Sequence, residues 1–201
     1  MQKKTIVILG VSGTIILIGL LLFGWITGIY NTFVKLDEGV NQAWAQVQNQ
    51  YQRRFDLIPN LVATVKGYAQ HEREVFENVA EARSSVGKLQ VTPEILNNPQ
   101  TFKQFQDAQA SLSSALTRLL AVAENYPQLK ANENFLQLQA QLEGTENRIA
   151  VERQRFNQVV QEFNIRVRQF PTSLVAGMFG FGQKQYFQAE AGTQKAPQVK
   201  F

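Results

Sequence analysis

Cysteine is absent from the 201 residues, and histidine occurs once. The first absence excludes a disulfide framework, a thiol nucleophile and a cysteine-based zinc site. The second leaves His71 alone: the zinc-protease helix motif needs another histidine four residues on, and Val75 stands there. His71 beside Glu72 is the one arrangement open to proton transfer. A helical histidine among charges is ordinarily just solvated, so no catalytic residue is assigned and an enzyme is not expected. No Walker, G-x-S-x-G or G-x-G-x-x-G pattern lies between a strand and a helix, and Gly177, Gly180 and Gly182 fall in an apolar tail. No metal or organic cofactor is therefore implied. Charge of one sign is also scarce. Lysine and arginine number 20 against 16 acidic residues, and Lys3 and Lys4 supply half of that excess. A nucleic-acid footprint needs a concentrated basic face, so no nucleic-acid partner is expected.

What the sequence does have is a long uncharged run, Thr5 to Ile29, TIVILGVSGTIILIGLLLFGWITGI. At 1.5 Å per residue such a helix spans roughly 37 Å, enough to cross the ~30 Å hydrocarbon core with some tilt. A secretory signal has a shorter apolar core and a small-x-small cleavage site, whereas this run closes on Trp25-Ile26-Thr27-Gly28-Ile29. The run reads as an uncleaved signal-anchor. Lys3 and Lys4 precede it, and a mixed Lys35, Asp37 and Glu38 follow. The positive-inside rule then predicts a cytoplasmic N-terminus and a domain facing outward.

The remaining chain, about 170 residues, is one domain's worth. Residues 1–29 are the anchor, 30–170 a helical bundle, and 171–201 an apolar segment with a tail. Phe33, Val40, Trp44, Val47, Tyr51 and Ile58 recur at helical spacing directly after the span, so the membrane helix is expected to run on into the domain. Asp56 is a candidate N-cap and Pro59 a first-turn residue of a second helix, with a kinked continuous helix as the alternative. That second pattern carries Leu61, Val65, Tyr68, Glu72, Val75, Val79, Ala82 and Val86 and stops near Gly87. QVTPEILNNP, from Gln90 to Pro99, reads as a loop. Thr101 is a plausible cap for a third helix with Phe102, Phe105, Ala108, Leu112, Leu116, Leu119 and Val122 inward. The fourth has a heptad seam: Phe135, Leu138, Leu142, Thr145, Ile149, Glu152, Phe156, Val159, Phe163, Arg166 and Phe170. The expected fold is all-α, a transmembrane helix followed by an antiparallel four-helix bundle of long, coiled-coil-like helices.

Up-down-up-down order returns Phe170 to the bilayer. The apolar segment 171–182 that follows, with Met178, Phe179 and Phe181, is too short to span. It is expected either at the lipid interface, with Arg166 and Arg168 near headgroups, or folded onto the bundle base or a neighbouring chain. From Gln183 an extended polar tail carries aromatic anchors at Tyr186, Phe187 and Phe201. Arg53, Arg54 and Asp56 suit either an anionic partner or capping of the first soluble helix. Thr145, Glu152 and Arg166 either fix register or face a second chain. Glutamine-rich outer faces suit assembly in the membrane plane, so a homo-oligomer is expected.

These residues resemble the LemA-like membrane proteins. The motifs are Tyr30-Asn31, Ala43-Trp44, and the run Gln52-Arg53-Arg54-Phe55-Asp56-Leu57-Ile58-Pro59-Asn60-Leu61-Val62. Val65-Lys66-Gly67-Tyr68, His71-Glu72, Ala82-Arg83, Glu124-Asn125-Tyr126-Pro127, Leu129-Lys130-Ala131-Asn132, Thr145-Glu146, Arg148-Ile149, Arg153 and Asn157 continue the match. The resemblance implies a bacterial single-span helical protein without established enzymatic activity. It also implies tyrosine where this chain has Phe156 and Phe163, which favours plain packing there. The expected role is an envelope scaffold bound to the lipid bilayer. An adaptor or stress sensor for a partner membrane protein or protease is the alternative.

Overall fold

The computed structural model describes residues 2–89 and 91–188, with side chains from Leu9 onward, so Phe201 lies outside the described residues. Within them the fold is all-helical, without strands. The first helix, α1 (Gln2–Tyr68), has 67 residues and is about 100 Å long. It is the one described helix long and apolar enough to cross a membrane. Leu9, Ile15, Ile16, Leu20, Leu21 and Phe23 on it are all exposed.

Helix α1 does not stop at Pro59, which overturns the expected turn there. The reason lies in the phase of its buried face. Phe33, Val40, Trp44, Val47, Tyr51, Arg54, Ile58, Leu61 and Val65 are all buried, in steps of three, four or seven that continue across the proline. Burying Ile58, Leu61 and Val65 at ~1.5–3 kcal/mol each outweighs the ~3 kcal/mol penalty of an interior proline. Pro59 itself faces solvent, where the carbonyl it leaves unbonded reaches water. Asp56 consequently caps nothing. It is exposed and accepts a hydrogen bond from Gln52 Nε2 at 2.8 Å.

The expected second helix is therefore split. Its first half belongs to α1, a turn occupies residues 69–72, and α2 (Arg73–Gly87) is short, ending at the glycine the sequence indicated. The loop to the next helix holds a 3-10 turn, Pro93–Asn97. Helix α3 (Pro99–Ala123) is capped by Asn98, not Thr101: the Asn98 side chain accepts from the backbone N–H of Gln100 and Thr101. Pro99 sits at the first position, where its missing donor costs nothing. Gln109 and Ala123 are buried where Ala108 and Val122 were expected. The single turn α4 (Pro127–Lys130) leads to α5 (Glu133–Arg168), capped by Asn132 on the N–H of Phe135.

Contacts give each helix its sense. Phe33 meets Phe163 with ring centroids 6.3 Å apart, Trp44 meets Phe156 at 5.6 Å, and Asn132 Nδ2 donates to the Tyr68 hydroxyl at 3.1 Å. Rising numbers on α1 meet falling numbers on α5, so these two long helices run antiparallel. Trp44 and Tyr51 meet Phe102 and Phe105 in order, which sets α3 parallel to α1. Helix α2 packs chiefly on α3 and places Arg83 over the Phe55 ring at 4.0 Å. The seam of α5 departs from a strict heptad after Phe156. Val160 and Asn164 are buried beside Phe163, whereas Arg166 and Phe170 are exposed. An α-helix drifts by ~20° per heptad, which turns Arg166 outward, and Phe170 lies in the turn beyond the end of α5. Phe156 and Phe163 are fully buried in rings and aliphatic side chains. A turn containing a cis Phe170–Pro171 bond joins α5 to α6 (Thr172–Phe179), which ends on Gly180 in the left-handed region. Residues 181–188 then continue without regular secondary structure.

Candidate functional site

Two apolar cores lie along the bundle, and a polar layer divides them. One core holds Phe33, Trp44, Phe102, Phe105, Phe156 and Phe163; the other holds Ile58, Leu61, Leu112, Leu119, Leu129 and Leu142. Between them sits Arg54, 2% exposed, on the inward face of α1 because it falls three residues after Tyr51 and four before Ile58. Its Nη1 donates to Ser113 Oγ at 2.7 Å and to the Glu146 carboxylate at 2.9 and 3.2 Å. Its Nη2 reaches the backbone and side-chain oxygens of Gln109. Three helices are joined by one guanidinium, a task that suits its planar fork of donors. Tyr51 stacks below it, 5.0 Å from ring centroid to guanidinium carbon.

This geometry removes the capping reading of Arg53 and Arg54, since α1 has no end near them. It also separates the two. Arg54 is committed inside the protein, and Arg53 faces solvent. The polar seam residues differ in the same way. Thr145 is buried and bonds the carbonyl of Gln141 in its own helix at 2.7 Å; Glu152 pairs with Arg155 at 3.3 Å near the surface. Arg166 is exposed, and its carbonyl accepts from Thr172 Oγ1 at 2.7 Å, which pins the start of α6. His71 lies exposed in the turn before α2, and Glu72 accepts instead from the Tyr126 hydroxyl at 3.1 Å. Among the described residues no cluster of metal-ligating side chains occurs.

The other candidates gather where the exposed part of α1 meets the bundle. Val175 and Ala176 of α6 are buried, while Phe181 stacks on Phe33 at 5.0 Å and Phe179 meets Tyr30 at 4.8 Å. The base of the bundle is thus sealed by 171–182, as the fold-back reading expects. Its other face is open. Phe170, Leu174 and Met178 follow each other four residues apart and are 78%, 60% and 72% exposed. Arg166 and Arg168 are exposed on the adjoining last turn of α5. Sequence reasoning named Met178 but not its alignment with Phe170 and Leu174, because Phe170 was counted on the seam.

Of the two asparagines that complete the site, sequence reasoning marks Asn157 only through the family resemblance and Asn164 not at all. Asn157 and Asn164, seven apart on α5, each hold the backbone of the C-terminal segment by paired bonds to Phe187 and Lys184. The signal was a repeat of asparagines one heptad apart beside an apolar seam.

The sequence model described as the LemA family matches residues 43–201. Magnetosome protein MamQ 2 of Paramagnetospirillum magneticum is 26% identical over 181 residues, covering 79% of this chain and 64% of that protein. MamQ of Magnetospirillum gryphiswaldense is 26% identical over 174 residues with the same coverage. Protein LemA of Metamycoplasma hominis is 25% identical over 175 residues, covering 87% of this chain and 75% of that one. The alignment thus spans less than two thirds of the MamQ relatives' length.

Proposed function

The chain belongs to the LemA family, and from that premise we propose that it is a bitopic bacterial membrane protein acting as a non-catalytic, self-associating scaffold. The exposed apolar stretch of α1 crosses the bilayer with its N-terminus in the cytoplasm. The rest of α1 with α2, α3 and α5 forms an antiparallel four-helix bundle on the outer side, and α6 lies along the lipid surface.

The observation that carries this reading is the stripe of Phe170, Leu174 and Met178 at the end of the bundle where the exposed apolar helix emerges. In water, three large apolar side chains in line are costly. At the boundary of headgroups and acyl chains each gains ~1.5–3 kcal/mol on burial. Arg166 and Arg168 are exposed on the last turn of α5 before the stripe, which supports a contact with lipid phosphates. The two supports for α6 are complementary: its inward face is held by the protein and its outward face by lipid.

Because the chain has no cysteine, a single probe site is clean. In the full-length protein reconstituted into vesicles, a fluorophore at Met178→Cys is expected to be quenched strongly by nitroxide-labelled lipid. The same fluorophore at Thr117→Cys, exposed on α3, is expected to be quenched weakly. Equal, weak quenching at both positions refutes the interfacial α6.

A further inference from the structure

With α6 on the bilayer, the charges at that end of the protein bear on which lipids it meets. Phe33 of α1 lies level with Phe163 of the antiparallel α5, their ring centroids 6.3 Å apart. Arg166 and Arg168, three and five residues further along α5, are therefore about 4.5 and 7.5 Å nearer the membrane, level with Tyr30 and Gly28 at the end of the apolar run. Both are exposed, and neither side chain makes an ion pair or hydrogen bond among the described residues. No carboxylate stands at or below their level there: the stretch from Arg166 to Gln183 has none, nor has α1 before Asp37. Lys184 pairs with Asp37 at 2.8 Å. Glu162 lies one turn above Arg166, with Lys35 of α1 at about its own level, and Glu38 lies higher still. The layer of charge next to the bilayer is thus positive alone.

The basic pair and the apolar stripe are presented together. Thr172 Oγ1 donates to the carbonyls of Arg166 and Gln169 at 2.7 and 2.8 Å, and the Ser173 N–H donates to the Gln169 carbonyl at 2.8 Å. These bonds fix the start of α6 to the turn of α5 that carries the arginines. Seating Phe170, Leu174 and Met178 at the acyl boundary therefore brings two guanidinium groups to headgroup depth. A guanidinium takes phosphate oxygens with paired donors. A zwitterionic lipid offers that phosphate together with a cationic amine, which repels the pair. An anionic lipid offers the phosphate without it.

We propose that this end of the protein is a binding surface selective for anionic phospholipids, with Arg166 and Arg168 on their phosphates and the α6 stripe among the first methylenes of their chains. The proposal rests on the interfacial α6 put forward above and adds the class of headgroup that α6 meets.

The test uses the full-length chain with a fluorophore at Met178→Cys, reconstituted into phosphatidylcholine vesicles. A small, equal fraction of the lipid carries a nitroxide high on its acyl chain, either as phosphatidylglycerol or as phosphatidylcholine. The labelled phosphatidylglycerol is expected to quench more strongly, with a relative affinity higher by a factor on the order of tenfold. Arg166→Gln with Arg168→Gln is expected to bring the two lipids to equal quenching. Salt at about 1 M, which shortens the screening length to ~3 Å, is expected to do the same. Arg148→Gln, exposed about 27 Å further up α5, is expected to leave the preference unchanged. Strong and equal quenching by both lipids before any arginine is changed overturns the proposal and leaves α6 at the interface. Weak quenching by both removes the interfacial α6 itself, and the proposal with it. A preference that survives the double variant, or that Arg148→Gln abolishes as well, also overturns it. Should the double variant lose helix content, the salt series decides, and a preference undiminished at high salt overturns the proposal.

Discussion

Replacing Arg54 by alanine withdraws the one side chain that ties α1 to α3 and α5 between the two cores. Gln109, 6% exposed, then has no partner for its side-chain oxygen, at a cost of ~1–3 kcal/mol. Glu146 retains 38% exposure of its side chain, so its carboxylate returns to water. The ~3–5 kcal/mol typical of a fully orphaned buried charge is therefore the ceiling. Loss of the buried arginine stem adds ~1 kcal/mol. The expected destabilisation is about 3 kcal/mol, which for a chain of this size lowers the melting temperature by ~6–12 °C. Thermal unfolding followed by far-ultraviolet circular dichroism reads this directly. A companion double variant, Arg54→Met with Gln109→Leu, removes donor and acceptor together and is expected to recover most of the loss, since apolar replacement of a buried polar pair is often neutral. A loss below ~1 kcal/mol for Arg54→Ala, or an equal loss in the double variant, refutes the role of Arg54 as the tie between the helices.

Pro59→Ala restores a backbone donor on the solvent side of α1 and is expected to raise stability by ~1–3 kcal/mol, read as a higher melting temperature. Asn98→Ala is expected to cost ~1 kcal/mol through loss of the α3 cap, whereas Thr101→Ala costs much less; chemical denaturation of the two separates the roles. Removal of its hydroxyl from water, and then the nearby Glu72 carboxylate, raise the pKa of Tyr126 above the usual tyrosine value. The folded state therefore holds that proton more tightly than the unfolded one. Its contribution is complete below the ordinary tyrosine pKa near 10 and is lost as pH rises through the folded value. Tyr126→Phe is expected to flatten the alkaline limb of the stability profile, measured by denaturant titration across pH.

The helices were legible from the spacing of apolar residues, and the boundary at Gly87 from its glycine. What misled was punctuation. Pro59 reads as a break when weighed alone, yet the three-and-four rhythm from Tyr51 through Ile58 to Val65 never changes phase, and packing overrides the local penalty. The same rhythm marks Arg54 as interior, a position that its charge argues against until Glu146, Ser113 and Gln109 are seen to converge on it. The seat of residues 184–188 was not legible. Its bonds join Asn157 and Asn164 to backbone groups at sequence separations of 30 and 20 residues, and backbone groups carry no sequence signature. The apolar stripe on α6 was half legible: the segment stood out, but its outward face depends on Phe170 leaving the seam.

The unbroken course of α1 has a mechanical meaning. From Tyr30 to Tyr68 it is a lever of about 57 Å. A change of ~10° in the inclination of its lower part, of the size by which helices adapt to thinner or thicker membranes, sweeps the upper end sideways by ~10 Å. Anything gripping that far tip would register membrane thickness as displacement.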